Sequence, residues 1–345
     1  MMSHFITHFS KQHAVTLLTF ESETMAAFYP VPALVNYLKT DKLGRHGLQR
    51  AWRIISRAGT IRQTAKALEP DVIVSFTDTT NITVLLACIG LKVPIIISER
   101  VDPSEHRIGW GKNLLRAYIY PRARMIVVPS HRVAKFFQTS LQSKIRVIGN
   151  PIPAVTATVA RRADIGRKRV IAVGRYKPQK GFDLLIDAFA LVADTYPDWD
   201  LNIVGEGPER PRLEAQLRRL QLEARVSLTG VVPDIFRELA QSDVMACSSR
   251  YEGFPNALAE ALATGLPAVG YKGVSGVEEL IVHGHTGLLV DQRDGSAGLA
   301  IAMSRLFDDG ELRTRLGNAA RQHVTQWAPD RIFFLWRGAL LEAIS

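Results

Sequence analysis

Short apolar segments that alternate with helical segments constrain the fold of this chain most. In residues 1–150 the apolar segments lie at 14–20, 71–76, 94–98, 125–129 and 145–148. Several are almost continuous runs of branched residues, as expected for parallel strands that are buried on both faces. Helical patterns such as 47–68 and 80–89 separate them. The first half therefore predicts a parallel sheet covered by helices.

The second half repeats this alternation. Its apolar segments lie at 169–174, 201–204, 226–229, 244–247, 267–270 and 287–290, again with helical patterns between them. Both halves together predict an α/β protein with two doubly wound, Rossmann-like domains that face a cleft. The assigned segments are a first domain at 1–152, a linker at 153–168, a second domain at 169–327 and a helix at 328–345. We expect this last helix to cross back to the first domain.

Positive charge is concentrated in the first half. The net charge is +10, and residues 1–150 carry 20 Lys and Arg against 9 Asp and Glu. Such asymmetry indicates an anionic partner for the first half, with a solvated basic surface as the alternative. A nucleic-acid binder would also be basic, but the sequence contains no recognition motif for nucleic acid. We therefore expect no nucleic-acid partner.

Targeting and redox signals favour a cytoplasmic protein. The apolar runs are too short to span a bilayer, and the first residues lack the features of a signal peptide. Cys88 and Cys247 lie in apolar surroundings without the spacing of metal ligands. We therefore expect two buried thiols in a reducing compartment.

The segment 252–260 carries the clearest functional signal. It places Glu252 and Glu260 on either side of a Gly-Phe-Pro-Asn turn, and Pro255 suits the first turn of a helix because it lacks an N–H. The N–H groups at such a helix start predict an anion site. An anion site flanked by two carboxylates suits a nucleotide-sugar, which has phosphate and hydroxyl groups. The donor-binding candidates in this segment are Gly253, Phe254, Pro255, Asn256, Ala257, Leu258 and Glu260.

Turns after other strands of the second half add candidates. Gly174 begins a turn in which Arg175 and Lys180 follow a strand, and two cations at that position can hold a diphosphate. Glycine turns let the backbone approach a ligand closely, or they simply end a strand. For the turn at Gly230 and Val231, one interpretation is a flat pocket for a base. The weaker candidates after the next two strands are Gly205, Gly230 and Val231.

As an ordered set, these motifs resemble glycosyltransferase family 4. The resemblance covers nearly all of residues 168–327, including Gly276-Val-Glu-Glu-Leu-Ile and Gly284-His-Thr-Gly. Ser98-Glu-Arg-Val-Asp-Pro is similar to a bacterial subgroup that builds exopolysaccharide or lipid-linked oligosaccharide chains. The resemblance implies the GT-B fold and transfer of a hexose or N-acetylhexosamine, with retention of anomeric configuration, from a nucleotide-sugar to a glycan. It implies no metal and no cofactor, and the subgroup favours UDP over GDP.

The resemblance also implies roles for individual residues. Arg175 and Lys180 would neutralise the leaving nucleoside diphosphate, which is electrostatic stabilisation of charge that develops in the transition state. Glu252 would hold sugar hydroxyls, and Glu260 would hold the ribose. The departing phosphate would act as the base for the acceptor hydroxyl, so that no side-chain base is required.

The first half departs from the family in two places. Family members often carry His after the strand at 94–98, where this chain has Glu99 and Arg100. Our candidates for the acceptor or sugar side are therefore Glu99, Arg100 and His106. Family members also begin with a strand and a Gly-rich loop that residues 2–13 do not match, so the first domain is expected to lack its first strand. An impaired scaffold of the same fold and a nucleotide-sugar epimerase are the alternatives.

Two other classes of enzyme match less well. Asp198-Trp-Asp200 has the Asp-x-Asp pattern of metal-dependent transferases, but it follows Pro197, and we interpret it as a surface turn. A retaining glycoside hydrolase needs two carboxylates about 5–5.5 Å apart. Glu252 before a helix and Glu260 inside it do not predict so close a pair.

A basic amphipathic segment at 105–124 predicts the side of the acceptor. Its basic residues alternate with large apolar ones, which suits an anionic membrane interface. We expect peripheral binding to the inner face of the cytoplasmic membrane and a polyprenyl-diphosphate-linked glycan as acceptor. The alternative is that Leu114, Leu115 and Ile119 face the core. The apolar residues concerned are Trp110, Leu114, Leu115, Tyr118 and Ile119, and residues 39–66 extend the basic face.

Overall fold

A computed structural model of the chain describes residues 1–20, 31–39, 49–106, 108–137, 139–153 and 166–345. The chain divides into two compact units. Unit 1 comprises Met1–Pro129, Val133–Pro151 and Asp330–Ser345, and unit 2 comprises Ser130–Arg132 and Ile152–Pro329. Most of the predicted linker at 153–168, and part of the predicted basic face at 39–66, lie outside the described residues.

Unit 1 contains parallel strands that form two sheets. The strands are β1 (Val15–Thr19), β2 (Val35–Lys39), β3 (Ile73–Phe76), β4 (Ile95–Ser98), β5 (Met125–Val128) and β6 (Ile145–Val147). The helices are α1 (Met2–Phe9), α2 (Gln49–Leu68), α3 (Asp78–Ala87), α4 (Trp110–Ile119) and the last part of α5 (His131–Lys135), whose first two residues are assigned to unit 2. β1 pairs with β2, and the other strands follow the order β3-β4-β5-β6.

The core of unit 1 lies on the second of these sheets. Every residue of β4 and β5 is buried, as the continuous apolar runs predict, whereas most of β3 is only partly buried. Among the described residues, β1 and β3 each pair with a single strand. The absence of a first strand from this domain stays a prediction.

Unit 2 has one parallel sheet of six strands in the order β12-β11-β10-β7-β8-β9. The strands are β7 (Lys168–Val173), β8 (Trp199–Val204), β9 (Val226–Gly230), β10 (Val244–Cys247), β11 (Ala268–Lys272) and β12 (Gly287–Asp291). The helices are α6 (Phe182–Ala190), α7 (Arg210–Leu220), α8 (Ile235–Ala240), α9 (Asn256–Ala263), α10 (Ser275–Leu280), α11 (Gly295–Asp308) and α12 (Gly310–His323).

The strand order of unit 2 reverses between β7 and β10. From β7 the chain first builds outward through β8 and β9, and it then returns to place β10 on the other side of β7. Loops that leave two such neighbouring strands run in opposite directions, and they leave a crevice at the carboxyl ends of the strands. Ligands of doubly wound folds bind at this point, so the topology itself marks the place to search for a site.

The last helix, α13 (Pro329–Ile344), belongs almost entirely to unit 1. Its buried Trp336 packs edge-on against Phe5 of α1, with ring centroids 5.0 Å apart. Trp336 also lies 6.1 Å from the ring of Phe76, at the end of β3. Within the described ranges, no helix has both the length and the apolar composition needed to cross a bilayer.

The Asp-x-Asp segment matches the predicted surface turn only at Asp198, which is exposed in the turn before β8. Trp199 and Asp200 already belong to β8, because the indole of Trp199 is buried and stacks on Phe307 at 3.8 Å. Asp200 accepts hydrogen bonds from Arg167 at 2.6 Å and from Arg225 at 3.1 Å. Asp198 Oδ2 lies 3.7 Å from Lys168 Nζ, so both aspartates form ion pairs near the start of β8.

Candidate active site

The turn after β7 brings Lys180 back over the end of its own strand. The ammonium of Lys180 donates a hydrogen bond to Glu252 Oε1 at 2.6 Å. Gly174 makes this path possible, since a Cβ there would lie 2.9 Å from Lys180 Cε. Gly181 closes the turn with φ of 62°, and a Cβ on it would lie 2.2 Å from the carbonyl oxygen of Ser248. Gly181 therefore allows the turn after β7 to touch the segment after β10.

The loop after β10 holds Glu252 in a buried position. Glu252 is 7% exposed, and its Oε1 also accepts a hydrogen bond from Ser249 Oγ at 2.8 Å. The carbonyl oxygen of Glu252 accepts a bond from Ser275 Oγ at 2.6 Å, which ties the loop to the start of α10. Gly276 is required at that contact, since a Cβ there would lie 2.6 Å from the carbonyl oxygen of Gly253.

The Lys180–Glu252 ion pair is electrostatically strong. Burial lowers the pKa of Lys180, but the nearby charge of Glu252 and its hydrogen bond outweigh this effect, so the pKa lies above the ordinary value. Arg175 contrasts with this pair. It is exposed, and its guanidinium makes no hydrogen bond or ion pair with any residue that the structure describes. Lys180 is thus held in place, whereas Arg175 is accessible to a ligand.

Helix α9 begins directly after this loop. Pro255 precedes it in an extended conformation, with φ of −76°, and the first amide that bonds back is that of Ala259, to the carbonyl of Pro255 at 3.1 Å. The amides of Ala257 and Leu258 come before that bond and lie at the positive end of the helix dipole. Pro255 therefore precedes the helix rather than occupying its first turn. Phe254 anchors the turn through an edge-on contact with Trp327 at 5.8 Å.

Glu260 lies about one turn inside α9, whereas Glu252 lies in the loop before that helix. Glu260 is partly buried, and burial raises the pKa of its carboxyl group to about 7. Unlike that of Glu252, its carboxylate accepts no hydrogen bond from any residue that the structure describes. The two carboxylates thus differ, because one is committed to a cation and the other is available to a ligand.

The glycine turns after β8 and β9 pack beside the Lys180 turn. Gly205 has φ of 144°, and a Cβ there would lie 1.9 Å from the carbonyl oxygen of Gly174. The amide of Gly205 donates to the carbonyl of Gly230 at 2.8 Å. Gly230 itself has φ of 82°, and Val231 after it is exposed. The predicted residues of unit 2 therefore follow β7, β8, β9 and β10, which are adjacent in the sheet.

A second ion pair, which the sequence analysis missed, connects the same two loops. Arg250 donates to both oxygens of Asp183 at 2.9 and 2.8 Å and to the carbonyl of Pro178 at 2.6 Å. Gln179 adds a bond to the carbonyl of Tyr251 at 3.0 Å. Burial alone would raise the pKa of Asp183, but Arg250 outweighs it and holds the pKa below the usual value. Because Asp183 and Arg250 are distant in sequence, no local sequence pattern indicated that they pair.

The candidates of unit 1 follow β4 but contact different partners. Glu99 is buried and accepts a hydrogen bond from the hydroxyl of Tyr120. Burial raises the pKa of Glu99 to about 7 despite that bond. Arg100 donates to Asn150 Oδ1 at 2.9 Å, and burial lowers its pKa to about 9. Its guanidinium lies 5.7 Å from the ring of Trp336.

His106 is the accessible member of this group. Its Nδ1 lies 2.7 Å from Asp78 Oδ2, and the imidazole side chain is 40% exposed. His106 was a candidate from the sequence, whereas no sequence pattern indicated its partner Asp78 or the partners Tyr120 and Asn150. Each of these partners follows or begins an element distant in sequence, so only the pairing of the strands brings it near.

Helix α4 divides its apolar residues between the core and solvent. Ile119 is fully buried and Leu115 is partly buried against the core of unit 1, so the core-facing alternative is correct for these two. Trp110, Leu114 and Tyr118 are 80%, 61% and 67% exposed and follow one another at intervals of four. This set is called the α4 ridge below.

Sequence models of two protein families match the chain. "Glycosyltransferase Family 4" matches residues 2–154, and "Glycosyl transferases group 1" matches residues 159–323. These matches correspond to the two units of the fold, with the boundary between them near the end of β6.

Individual relatives and solved structures agree with the family matches. An exopolysaccharide phosphotransferase of Streptomyces coelicolor is 32% identical over 83% of this chain, which spans 30% of that protein's length. A Campylobacter jejuni N-acetyl-D-galactosaminyltransferase that acts on a GalNAc-GalNAc-diNAcBac-PP-undecaprenol is 26% identical, covering 96% of this chain and 91% of its own. Anabaena HepE in complex with UDP and glucose superposes with a TM-score of 0.79 at 20% identity, over 99% of this chain and 94% of its own. The chain therefore has the GT-B fold, with its match to glycosyltransferase family 4 in unit 1 and its match to glycosyl transferases group 1 in unit 2.

Proposed function

We propose that this protein is a retaining glycosyltransferase of family 4 that uses a nucleotide-sugar, with UDP favoured over GDP. It transfers a hexose or N-acetylhexosamine to a glycan acceptor during the assembly of bacterial polysaccharide or oligosaccharide. The observation that carries the proposal is the meeting of Lys180, Glu252 and the start of α9 at the reversal of strand order in unit 2. Dinucleotides and nucleotides bind at such reversals in doubly wound folds.

The diphosphate is the part of the donor that this site suits best. The free guanidinium of Arg175 and the ammonium of Lys180 supply positive charge, and the first amides of α9 supply donors with a favourable dipole. Charge grows on the diphosphate as the glycosidic bond breaks, so fixed cations at this point stabilise the transition state more than the ground state. No metal ion is needed in this proposal, because protein groups supply the neutralising charge.

The remaining parts of the donor have their own candidates. Glu260 is available in α9 to accept hydrogen bonds from the ribose hydroxyls. Gly230 ends β9 without a side chain and Val231 after it is exposed, and these two residues are the candidates for contact with a planar base. Glu252 retains a second carboxylate oxygen, Oε2, for a sugar hydroxyl while Oε1 holds Lys180 and Ser249.

A lipid-linked acceptor is supported by the surface of unit 1. The α4 ridge exposes three large apolar side chains, and the guanidinium of Arg122 lies 5.0 Å from the ring of Tyr118. Aromatic residues next to cations are typical of proteins that bind an anionic membrane interface. We propose peripheral binding to the inner face of the cytoplasmic membrane and a polyprenyl-diphosphate-linked glycan. The acceptor of the Campylobacter jejuni relative is of this kind.

Thermal unfolding with a panel of nucleotide-sugars tests the donor assignment. A ligand present at 100 times its Kd stabilises the folded state by about 2.7 kcal/mol. For domains of this size that is a rise in Tm of roughly 5–10 °C. We expect such a rise with at least one UDP-sugar, unchanged by EDTA, and its loss in Arg175→Ala. A panel that leaves Tm unchanged throughout would refute the proposal, and a rise only with GDP-sugars would refute the preference for UDP.

Flotation with liposomes tests the membrane assignment. Wild-type protein should float with anionic vesicles at low salt and be released at high salt, because exposed charges are screened. Replacing Trp110 and Leu114 by Ser should abolish flotation. Phe334→Ser is the matched control, since Phe334 is 71% exposed on α13. Equal loss of flotation in the control, or no flotation of the wild type at low salt, would rule out a specific role for the α4 ridge.

A further inference from the structure

Asp78 and His106 form a pair at the carboxyl ends of β3 and β4. Asp78 is the first residue of α3, directly after β3, and His106 lies in the loop that follows β4. These two strands are hydrogen-bonded neighbours in the parallel sheet of unit 1. Ligands of open parallel sheets bind beyond the carboxyl ends of the strands. The pair therefore lies at the edge of the sheet where a ligand of unit 1 is expected.

The hydrogen bonds of Asp78 fix the orientation of the imidazole. Asp78 Oδ1 accepts from the amide of Thr79 at 2.5 Å and from its hydroxyl at 3.1 Å, while Oδ2 lies 2.7 Å from His106 Nδ1. A carboxylate has only acceptors, so Nδ1 must carry the proton of this bond. In the neutral imidazole, Nε2 is then an acceptor. Nε2 makes no hydrogen bond or ion pair with any residue that the structure describes.

The backbone on both sides supports this arrangement. Thr77, before Asp78, has φ of 74° and ψ of 145°, a conformation that costs free energy for a β-branched residue. It is held there by hydrogen bonds to the carbonyl of Ser98 at 3.0 Å and from the amide of Asn81 at 2.8 Å. The amide of His106 donates to the carbonyl of Asp102 at 3.0 Å. Strain of this kind persists where the surrounding structure enforces it, and it concentrates at ligand sites.

We propose that His106 Nε2 accepts a hydrogen bond from a hydroxyl of a neutral sugar, the glycan acceptor, and that Asp78 is the positioning residue that presents Nε2. The lone pair of His106 Nε2, with the Asp78 carboxylate behind the ring, repels phosphate and attracts the proton of a hydroxyl group. The ligand is therefore a polyol rather than an anion. The inference rests on the proposed function, in which the groups of unit 2 hold the diphosphate and the ribose. In that proposal, residues of unit 1 supply contacts to the glycan acceptor.

Nitrogen-15 NMR of the imidazole tests the pair without requiring turnover. We expect the wild-type spectrum to show the His106 proton on Nδ1. Titration with methyl α-N-acetylgalactosaminide in the presence of UDP should shift the His106 signals, whereas inorganic phosphate should not. Asp78→Asn keeps the shape and the acceptor for Thr79, but its amide can donate to Nδ1. We expect it to move the proton toward Nε2 and to weaken sugar binding about 5-fold or more, the scale of one neutral hydrogen bond.

Two further variants complete the test. His106→Ala should weaken sugar binding to a similar extent with UDP affinity unchanged, and His13→Ala is the control, because His13 is exposed and lies before β1. A wild-type proton on Nε2, or UDP binding with no response of His106 to the sugar, would overturn the inference. Sugar affinity equal to wild type in Asp78→Asn would do the same. Failure of UDP to bind at all would instead refute the proposed function.

Discussion

The Lys180–Glu252 ion pair gives the sharpest prediction. Lys180→Met removes the cation and keeps most of the side-chain volume, so Glu252 is left buried with Ser249 as its remaining donor. Removal of one partner from a buried ion pair costs about 3–5 kcal/mol. The Lys180 side chain is 21% exposed, and Ser249 remains, so we expect the lower end, about 3 kcal/mol. For a domain of this size, Tm should fall by roughly 6–12 °C.

A double variant separates stability from catalysis. Lys180→Met combined with Glu252→Gln removes both charges and leaves an amide that can still accept from Ser249. Most of the lost stability should return, because no uncompensated charge is buried. Turnover should not return, because the cation that we propose to stabilise the leaving diphosphate is still missing. We expect both variants to be at least about 100-fold slower than wild type, the scale for losing one oxyanion-stabilising donor.

Thermal unfolding at pH 7.5 and donor-dependent sugar transfer are the two assays. Glu252→Gln alone completes the cycle, since the coupling of the two changes measures the interaction directly. An unchanged Tm in Lys180→Met would show that the pair is not buried as described. Recovery of turnover in the double variant would refute the catalytic assignment of Lys180 and leave the ion pair as a purely structural feature.

Three further predictions concern Arg175, Glu260 and Glu99. Arg175→Ala should lower turnover about 100-fold and leave Tm almost unchanged, because the side chain is exposed; a large loss of Tm would contradict this. Burial raises the pKa of Glu260 to about 7, so calorimetry should find weaker UDP binding below pH 7, as the carboxyl becomes protonated, and a flat profile in Glu260→Gln. A flat wild-type profile would remove the ribose assignment. Burial also raises the pKa of Glu99 to about 7, so its contribution to stability is present below about pH 4.5 and is lost as pH rises through 7. Urea unfolding should show a loss of about 3 kcal/mol between pH 4.5 and 8 that Glu99→Gln lacks; equal slopes would contradict burial of the charge.

Local patterns determined much of the fold. The apolar runs at β4, β5 and β10 are buried along their whole length, as continuous hydrophobic strands of a parallel sheet must be. The glycine turn after β7 and the helix start after Pro255 could also be predicted from the sequence, because each depends on backbone conformation within a few residues. These features predict a site at the carboxyl ends of the unit 2 strands before any contact is known.

Pairings between distant residues were decided by tertiary structure alone. Lys180 and Glu252 meet because β7 and β10 are neighbours where the strand order reverses, and Asp183 meets Arg250 for the same reason. Asp78 meets His106 because β3 pairs with β4. The sequence supplied the residue types and the elements that carry them. Which carboxylate is committed to a cation, and which stays available to a ligand, follows only from the order of the strands, because that order sets distance and burial.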